Sequence, residues 1–177
     1  IRDHCVTGVQ TCALPIYKII NGFKIGDLII IAGRPSMGKT SFAVNILYHL
    51  TIKLKIEAHM FSLEMSKNEV LDKLIALISN ITINKIQNKL IQQQDWIKIQ
   101  KTCQVLMKSP ISIDDNGYSS INYIKSQCKN IKKNLIIIDY LQLVKVEEQS
   151  LNNRSQEIGN ITRELKLLSR QIQSIII

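Results

Sequence analysis

Gly33-Arg34-Pro35-Ser36-Met37-Gly38-Lys39-Thr40 sets two glycines five apart, then a lysine, then a hydroxyl, directly after the apolar run that ends in Ala32. Residues of these types in this order suit a phosphate group. The glycines let backbone N–H groups turn inward around phosphate oxygens, and the start of a helix adds a favourable dipole. In this pattern the lysine reaches the β- and γ-phosphates and the hydroxyl takes a place on Mg²⁺. Gly33, Arg34, Pro35, Ser36, Met37, Gly38, Lys39, Thr40 and Ser41 are therefore the candidate nucleotide-binding residues, with Thr40 a metal candidate. A glycine-rich turn with an incidental lysine is the bland alternative. The context of strand before and helix after favours the phosphate loop.

A phosphate-bound metal also needs an acid. Leu135-Ile136-Ile137-Ile138-Asp139 ends an apolar run in one, about a hundred residues downstream. This is the form of a Walker B element, and Asp139 becomes the second metal candidate. Hydrolysis further needs a carboxylate to orient the attacking water. Glu64 follows the apolar stretch Ile56–Leu63 and precedes Ser66, whose capping partner is already Glu69. An acid with no capping task beside the strand end suits a general base, the alternative being a solvated loop carboxylate. Lys39, Glu64 and Asp139 are the catalytic candidates.

The elements that must position these residues alternate along the chain. Residues 27–33 are continuously apolar after Asp27, as expected for a strand buried on both faces. Phe42, Ile46 and Leu50 predict the buried stripe of a helix beginning near Lys39. Residues 56–63 read as a second strand. Ser66 and Glu69 form a capping box, opening a helix with Val70, Leu71, Leu74, Leu77 and Ile78 inward. A further helix carries Trp96, Ile99, Cys103 and Leu106 and closes before Pro110. Residues 111–115 form a short strand leading to a turn at Asp115-Asn116-Gly117. Ile121, Ile124, Cys128 and Ile131 mark the next helix, and the run ending in Asp139 is a strand passing into a loop. Ile158, Ile161, Leu165, Leu168 and Ile172 give the last helix, before a strand at 174–177. Alternation of this kind predicts an α/β fold, a mostly parallel sheet with helices on both faces. Ligands of such sheets bind at the carboxyl ends of the strands.

At 177 residues the chain is long enough to bury about 70% of its unfolded surface as one domain. No apolar run approaches the ~20 residues of a membrane helix. Cys5, Cys12, Cys103 and Cys128 show no metal-site spacing, which disfavours zinc and a disulfide framework and fits a reducing cytoplasm. The net charge of +9 favours an anionic partner, although the lysines are scattered. Residues 1–16 differ in composition from the rest and show no periodicity, so they read as a foreign or disordered leader. Residues 17–177 read as the ATPase domain.

The segments GDLIIIAGRPSMGKTSFAVNI, FSLEMS, IIIDYLQLV and NRSQEIGNITRELKLLSRQ together resemble the C-terminal motor domain of bacterial replicative DNA helicases of the DnaB type. The likeness runs from about Asn21 to Ile177. It implies a RecA-like P-loop NTPase fold, ATP and Mg²⁺ as cofactors, and ATP hydrolysis coupled to translocation on single-stranded DNA and duplex unwinding. It also implies a ring-shaped hexamer, primase and helicase-loader partners, and a cytoplasmic replisome or an organelle of bacterial descent. By the same resemblance Lys39 and Thr40 bind nucleotide and Mg²⁺, Glu64 activates water and Asp139 holds the metal shell. Gln142, Arg154 and Arg34 match family positions. The family continues beyond the equivalent of Ile177 into a sensor segment, DNA-facing loops and an arginine that reaches a neighbour's nucleotide, and carries an N-terminal collar domain. On that reading the sequence is part of a motor. Recombinase-like or clock-type ATPases, and a non-enzymatic assembly module, are the competing readings.

Overall fold

The computed structural model describes residues 23–34, 36–117, 120–130, 135–145 and 154–177. The expected leader at 1–16, Pro35 and Ile131 lie outside the described residues. Four strands form one parallel sheet in the order β2-β1-β3-β4: β1 (Ala58–Ser62), β2 (Ile111–Asp114), β3 (Leu135–Asp139) and β4 (Ile175–Ile176). Phe61 is level with Asp114 on one side and with Ile138 on the other, and Ser62 is level with Asp139. Because every strand runs the same way, the carboxyl ends of β1, β2 and β3 share one edge, and the residues after them meet there.

Helices α1 (Lys39–Tyr48), α2 (Lys67–Ser79), α3 (Ile83–Gln87), α4 (Gln93–Met107), α5 (Ile121–Asn130) and α6 (Arg154–Gln171) connect the strands, with α1 continuing into a π-helical turn at His49–Lys53. The period-two alternation of strand side chains divides the core into two layers. Ala58, Met60, Leu135 and Ile137 pack with Ala43, Val44 and Leu47 of α1 and Val70 and Leu74 of α2. Phe61, Ile136 and Ile176 face the other way, onto Ile121, Ile124 and Cys128 of α5 and Ile161, Leu165 and Leu168 of α6. The sheet is thus covered on both faces, as the alternating sequence predicts. No described helix is long and apolar enough to cross a membrane.

Three expectations are corrected. Residues 27–33 do not form a strand buried on both faces. Leu28 makes one parallel bridge to Ile176, with the Ile29 N–H donating to the Ile176 carbonyl at 2.8 Å and the Ile176 N–H to the Asp27 carbonyl at 2.9 Å. Ile30 is 57% exposed and Ile31 36% exposed. Beyond Ile29 the segment has no further ladder partner among the described residues. An apolar run records capacity for burial, and pairing decides whether it is used.

On α1 the inward stripe is Ala43, Val44 and Leu47, while Phe42, Ile46 and, in the π-helical turn that follows, Leu50 are half-buried. On α4 the buried residues are Ile99 and Thr102, whereas Trp96 is 53% exposed. The Thr102 hydroxyl donates to the Lys98 carbonyl at 2.9 Å, which removes the penalty for burying it.

Candidate active site

The phosphate loop is shaped by its backbone. Gly38 stands at φ 84°, ψ 25°, the left-handed region, and Ser36 also has positive φ (61°). Gly38 is the residue before α1, and no side chain caps the helix start. The opening N–H groups of a helix need acceptors, so an uncapped start following a glycine turn suits an anion. The Lys39 ammonium folds back over the loop, donating to the Gly33 carbonyl at 3.1 Å and the Arg34 carbonyl at 3.2 Å. A charged phosphate attracts the ammonium more strongly than a neutral carbonyl does, so an arriving phosphate can take over these donors.

Asp139 ends β3 at 6% exposure, and its Oδ2 has no hydrogen-bond partner among the described residues. A buried carboxylate oxygen left in this way is costly unless a cation or donor completes it. That is the observation by which Mg²⁺ fits the site. No group of three or more His, Cys, Asp or Glu side chains is placed to hold a metal among the described residues. The donor set of one carboxylate and the Thr40 hydroxyl matches Mg²⁺, which keeps waters and shares substrate phosphates instead of filling an all-protein cage.

Glu64 is exposed on the bend between β1 and α2. The bend is fixed from several sides. The Leu63 N–H donates to the Asp139 carbonyl at 2.8 Å, joining the residue before Glu64 to the metal candidate itself. The Ser62 hydroxyl donates to the Met65 carbonyl at 2.7 Å. The expected capping box is present: the Ser66 N–H donates to Glu69 at 2.8 Å, and Ser66 Oγ accepts the Glu69 N–H at 3.4 Å. The Ser66 backbone N–H, followed by its hydroxyl, holds the Glu69 carboxyl below its ordinary value. Glu69 is the cap, which leaves Glu64 free of that task.

These parts share a cavity of about 730 Å³, whose wall includes Gly33, Lys39, Thr40, Glu64, Asp139 and Gln142. Its size falls in the usual range for small-molecule sites. Ser36, Gly38 and Ser41 also line it, whereas Arg34 and Met37 do not, and Met37 is 74% exposed. Arg154, matched by resemblance, is not on the wall either. Its guanidinium donates to the Gln142 carbonyl and pairs with Glu157, so it braces the segment after β3 against α6.

Sequence reasoning missed Lys73, a second cation on the cavity wall from α2. It lies one turn after the capping residue Glu69, a register visible in the sequence once α2 is placed, but a stripe built from apolar residues passes over it. A smaller cavity of about 250 Å³ lies between α2, α4 and β2, away from these groups.

A family model described as the DnaB-like helicase C-terminal domain matches residues 8–177. The chain belongs to that family. It is 34% identical over 176 residues to the replicative DNA helicase DnaB of Geobacillus stearothermophilus, covering 97% of this chain and 39% of that protein. It is 37% identical over 171 residues to a probable replicative DNA helicase of Trieres chinensis, covering 94% of this chain and 38% of that protein. The chain therefore spans about two fifths of the length of these curated relatives. Among solved structures, that of a DnaB-like replicative helicase and its interactions with primase superposes with a TM-score of 0.80 at 27% identity, covering 97% of this chain and 48% of that one. A solved ATPase domain gives the same TM-score and identity, covering 97% of this chain and 70% of that one. The fold is RecA-like, as the resemblance implied. The RadB recombinase, at TM-score 0.52 and 12% identity, shares the fold alone.

Proposed function

We propose that this chain is the ATP-hydrolysing motor of a replicative DNA helicase. The observation that carries this reading is the meeting of the phosphate loop, Glu64 and Asp139 around one cavity at the carboxyl edge of the sheet, in a chain of the DnaB-like family. Gly33, Ser36, Gly38, Lys39, Thr40 and Ser41, which line the cavity, cradle the phosphates, and Lys39 turns from the loop carbonyls to the β- and γ-phosphates. Thr40 and Asp139 would hold Mg²⁺, which when bound would neutralise charge on the phosphate oxygens. Glu64 orients the attacking water and accepts its proton. Leu63, bonded to Asp139, keeps the base and the metal carboxylate in fixed relation.

Hydrolysis drives movement along single-stranded DNA and separation of the duplex, with the working form a ring-shaped hexamer. Primase and a helicase loader are the partners, and the site of action is the replisome. The structural neighbour described with primase supports the first of these. The recombinase-like and clock-type readings are supported by fold alone, and the presence of Lys39, Thr40, Glu64 and Asp139 argues against an assembly module without chemistry. The test is ATP hydrolysis by the full-length protein carrying this chain, with and without single-stranded DNA, alongside unwinding of a forked duplex. Mg²⁺-dependent turnover that rises with single-stranded DNA and accompanies unwinding is expected. Turnover indifferent to DNA, without strand separation, would refute the helicase reading.

A further inference from the structure

Two acids at the carboxyl end of β2 lie outside the nucleotide cavity. Asp115 Oδ2 accepts the backbone N–H of Lys67 at 2.8 Å across 48 residues of sequence. Lys67 is the first residue of α2, so this is one of the donors a helix start leaves without an internal partner. The capping box already serves the start of the helix, and Asp115 adds a fastening from the end of a distant strand.

Asp114 is itself held on both carboxylate oxygens. Oδ2 accepts the Tyr123 hydroxyl at 2.7 Å, and Oδ1 accepts the Asn116 N–H at 3.0 Å. Tyr123 belongs to α5 and packs with the core layer opposite the one that holds α2. A line of bonds therefore crosses the carboxyl edge, from α5 through Asp114 and Asp115 to the start of α2. The bend that carries Glu64 is clamped at both ends, by Leu63 on Asp139 and by Lys67 on Asp115. Glu64 lies in the three residues between the clamps, and its exposed side chain takes its place from the backbone that carries it.

We propose that Asp115 is a positioning residue, holding the bend through Lys67 so that Glu64 stays at the cavity. The inference rests on the reading of Glu64 as the water-orienting base. Asp115→Ala removes the acceptor and leaves that end of the bend held by the capping box alone. Asp115→Asn keeps a side-chain carbonyl that can accept the same N–H.

The test uses the full-length protein, with kcat and KM for ATP measured per nucleotide-binding site for Asp115→Ala, Asp115→Asn and Glu64→Gln. A displacement of 1 Å can cost about a hundredfold in rate, so Asp115→Ala should lower kcat at least about tenfold while KM moves less than about twofold. Asp115→Asn should recover most of the loss. Wild-type kcat in Asp115→Ala, beside an inactive Glu64→Gln, overturns this inference alone. Undiminished turnover in Glu64→Gln overturns the reading of Glu64 and this inference with it. Equal loss in the Ala and Asn variants would assign the effect to charge and refute the clamp. Should Asp115→Ala fail to fold, Tyr123→Phe loosens the same line with the ring kept. It should lower kcat at unchanged KM, and an unchanged kcat overturns the proposal.

Discussion

Alanine at Gly38 and alanine at Gly159 should move stability in opposite directions. Gly38 sits at φ 84°, and a Cβ built there meets no atom within 4 Å. The whole cost is then conformational: a left-handed backbone costs an L-residue about 1–2 kcal/mol. Gly159 is an exposed residue inside α6, also with nothing within 4 Å of a built Cβ and no positive φ. Alanine there gains the helix-propensity difference, about 0.8–1 kcal/mol. For a chain of this size 1 kcal/mol shifts Tm by about 2–4 °C. Gly38→Ala should therefore lower Tm by about 2–8 °C and Gly159→Ala raise it by about 2–4 °C, with urea m-values unchanged. The loop can escape part of its penalty by leaving the left-handed conformation when free. The same 1–2 kcal/mol then appears as roughly 5- to 30-fold weaker nucleotide binding. Equilibrium urea unfolding and titration with a fluorescent ATP analogue together capture both routes. A Gly38→Ala protein with undiminished stability and undiminished affinity would refute the argument that this backbone shape is required.

The Glu69 carboxyl is held below 4.5 in the folded chain, so the unfolded chain binds that proton more readily. Its contribution is fully present above 4.5 and lost as pH falls through the lowered folded value. Urea unfolding of wild type and Glu69→Gln should differ at neutral pH and converge in acid, and a gap that ignores pH would contradict the assignment. Burial pushes the Cys128 thiol up to about 12. Alkylation followed by peptide mass spectrometry near neutral pH should modify Cys103, which is half-buried, well before Cys128. Denaturant should abolish the difference, and prompt labelling of Cys128 in the folded protein would show that its core layer opens.

The parts of the fold that are legible in the sequence are those where local chemistry and tertiary demand agree. Ser66 and Glu69 announce the start of α2, and both halves of the capping box form. Ile161, Leu165 and Leu168 repeat at helical spacing and are buried in α6. The apolar run ending in Asp139 is β3, with its acid at the sheet edge. The misreadings arise where a neighbour decides. Residues 30–32 are as apolar as β3, yet among the described residues ladder partners extend only to Ile29. Helical spacing puts Trp96 inside, but the side of α4 that meets the core carries Thr102, whose hydroxyl is satisfied within its own helix. That Lys39, Thr40, Glu64 and Asp139 line one cavity follows from motifs whose residue type and order phosphate chemistry restricts. Lys73 and the Asp115 contact are not legible, since each depends on where α2 lies against elements distant in sequence.

The central claim, that Lys39 binds phosphate while Glu64 acts on water, is tested most directly by separating binding from turnover. In the full-length protein, the Kd for ATP·Mg²⁺ and the single-turnover hydrolysis rate are measured for wild type, Lys39→Ala and Glu64→Gln. Glu64→Gln keeps the shape of the side chain and removes the proton acceptor, so affinity should stay within about threefold while the rate falls at least about a hundredfold. Lys39→Ala removes the phosphate cation and should weaken binding at least about tenfold. Equal loss of affinity in both variants, or undiminished hydrolysis by Glu64→Gln, would contradict the account.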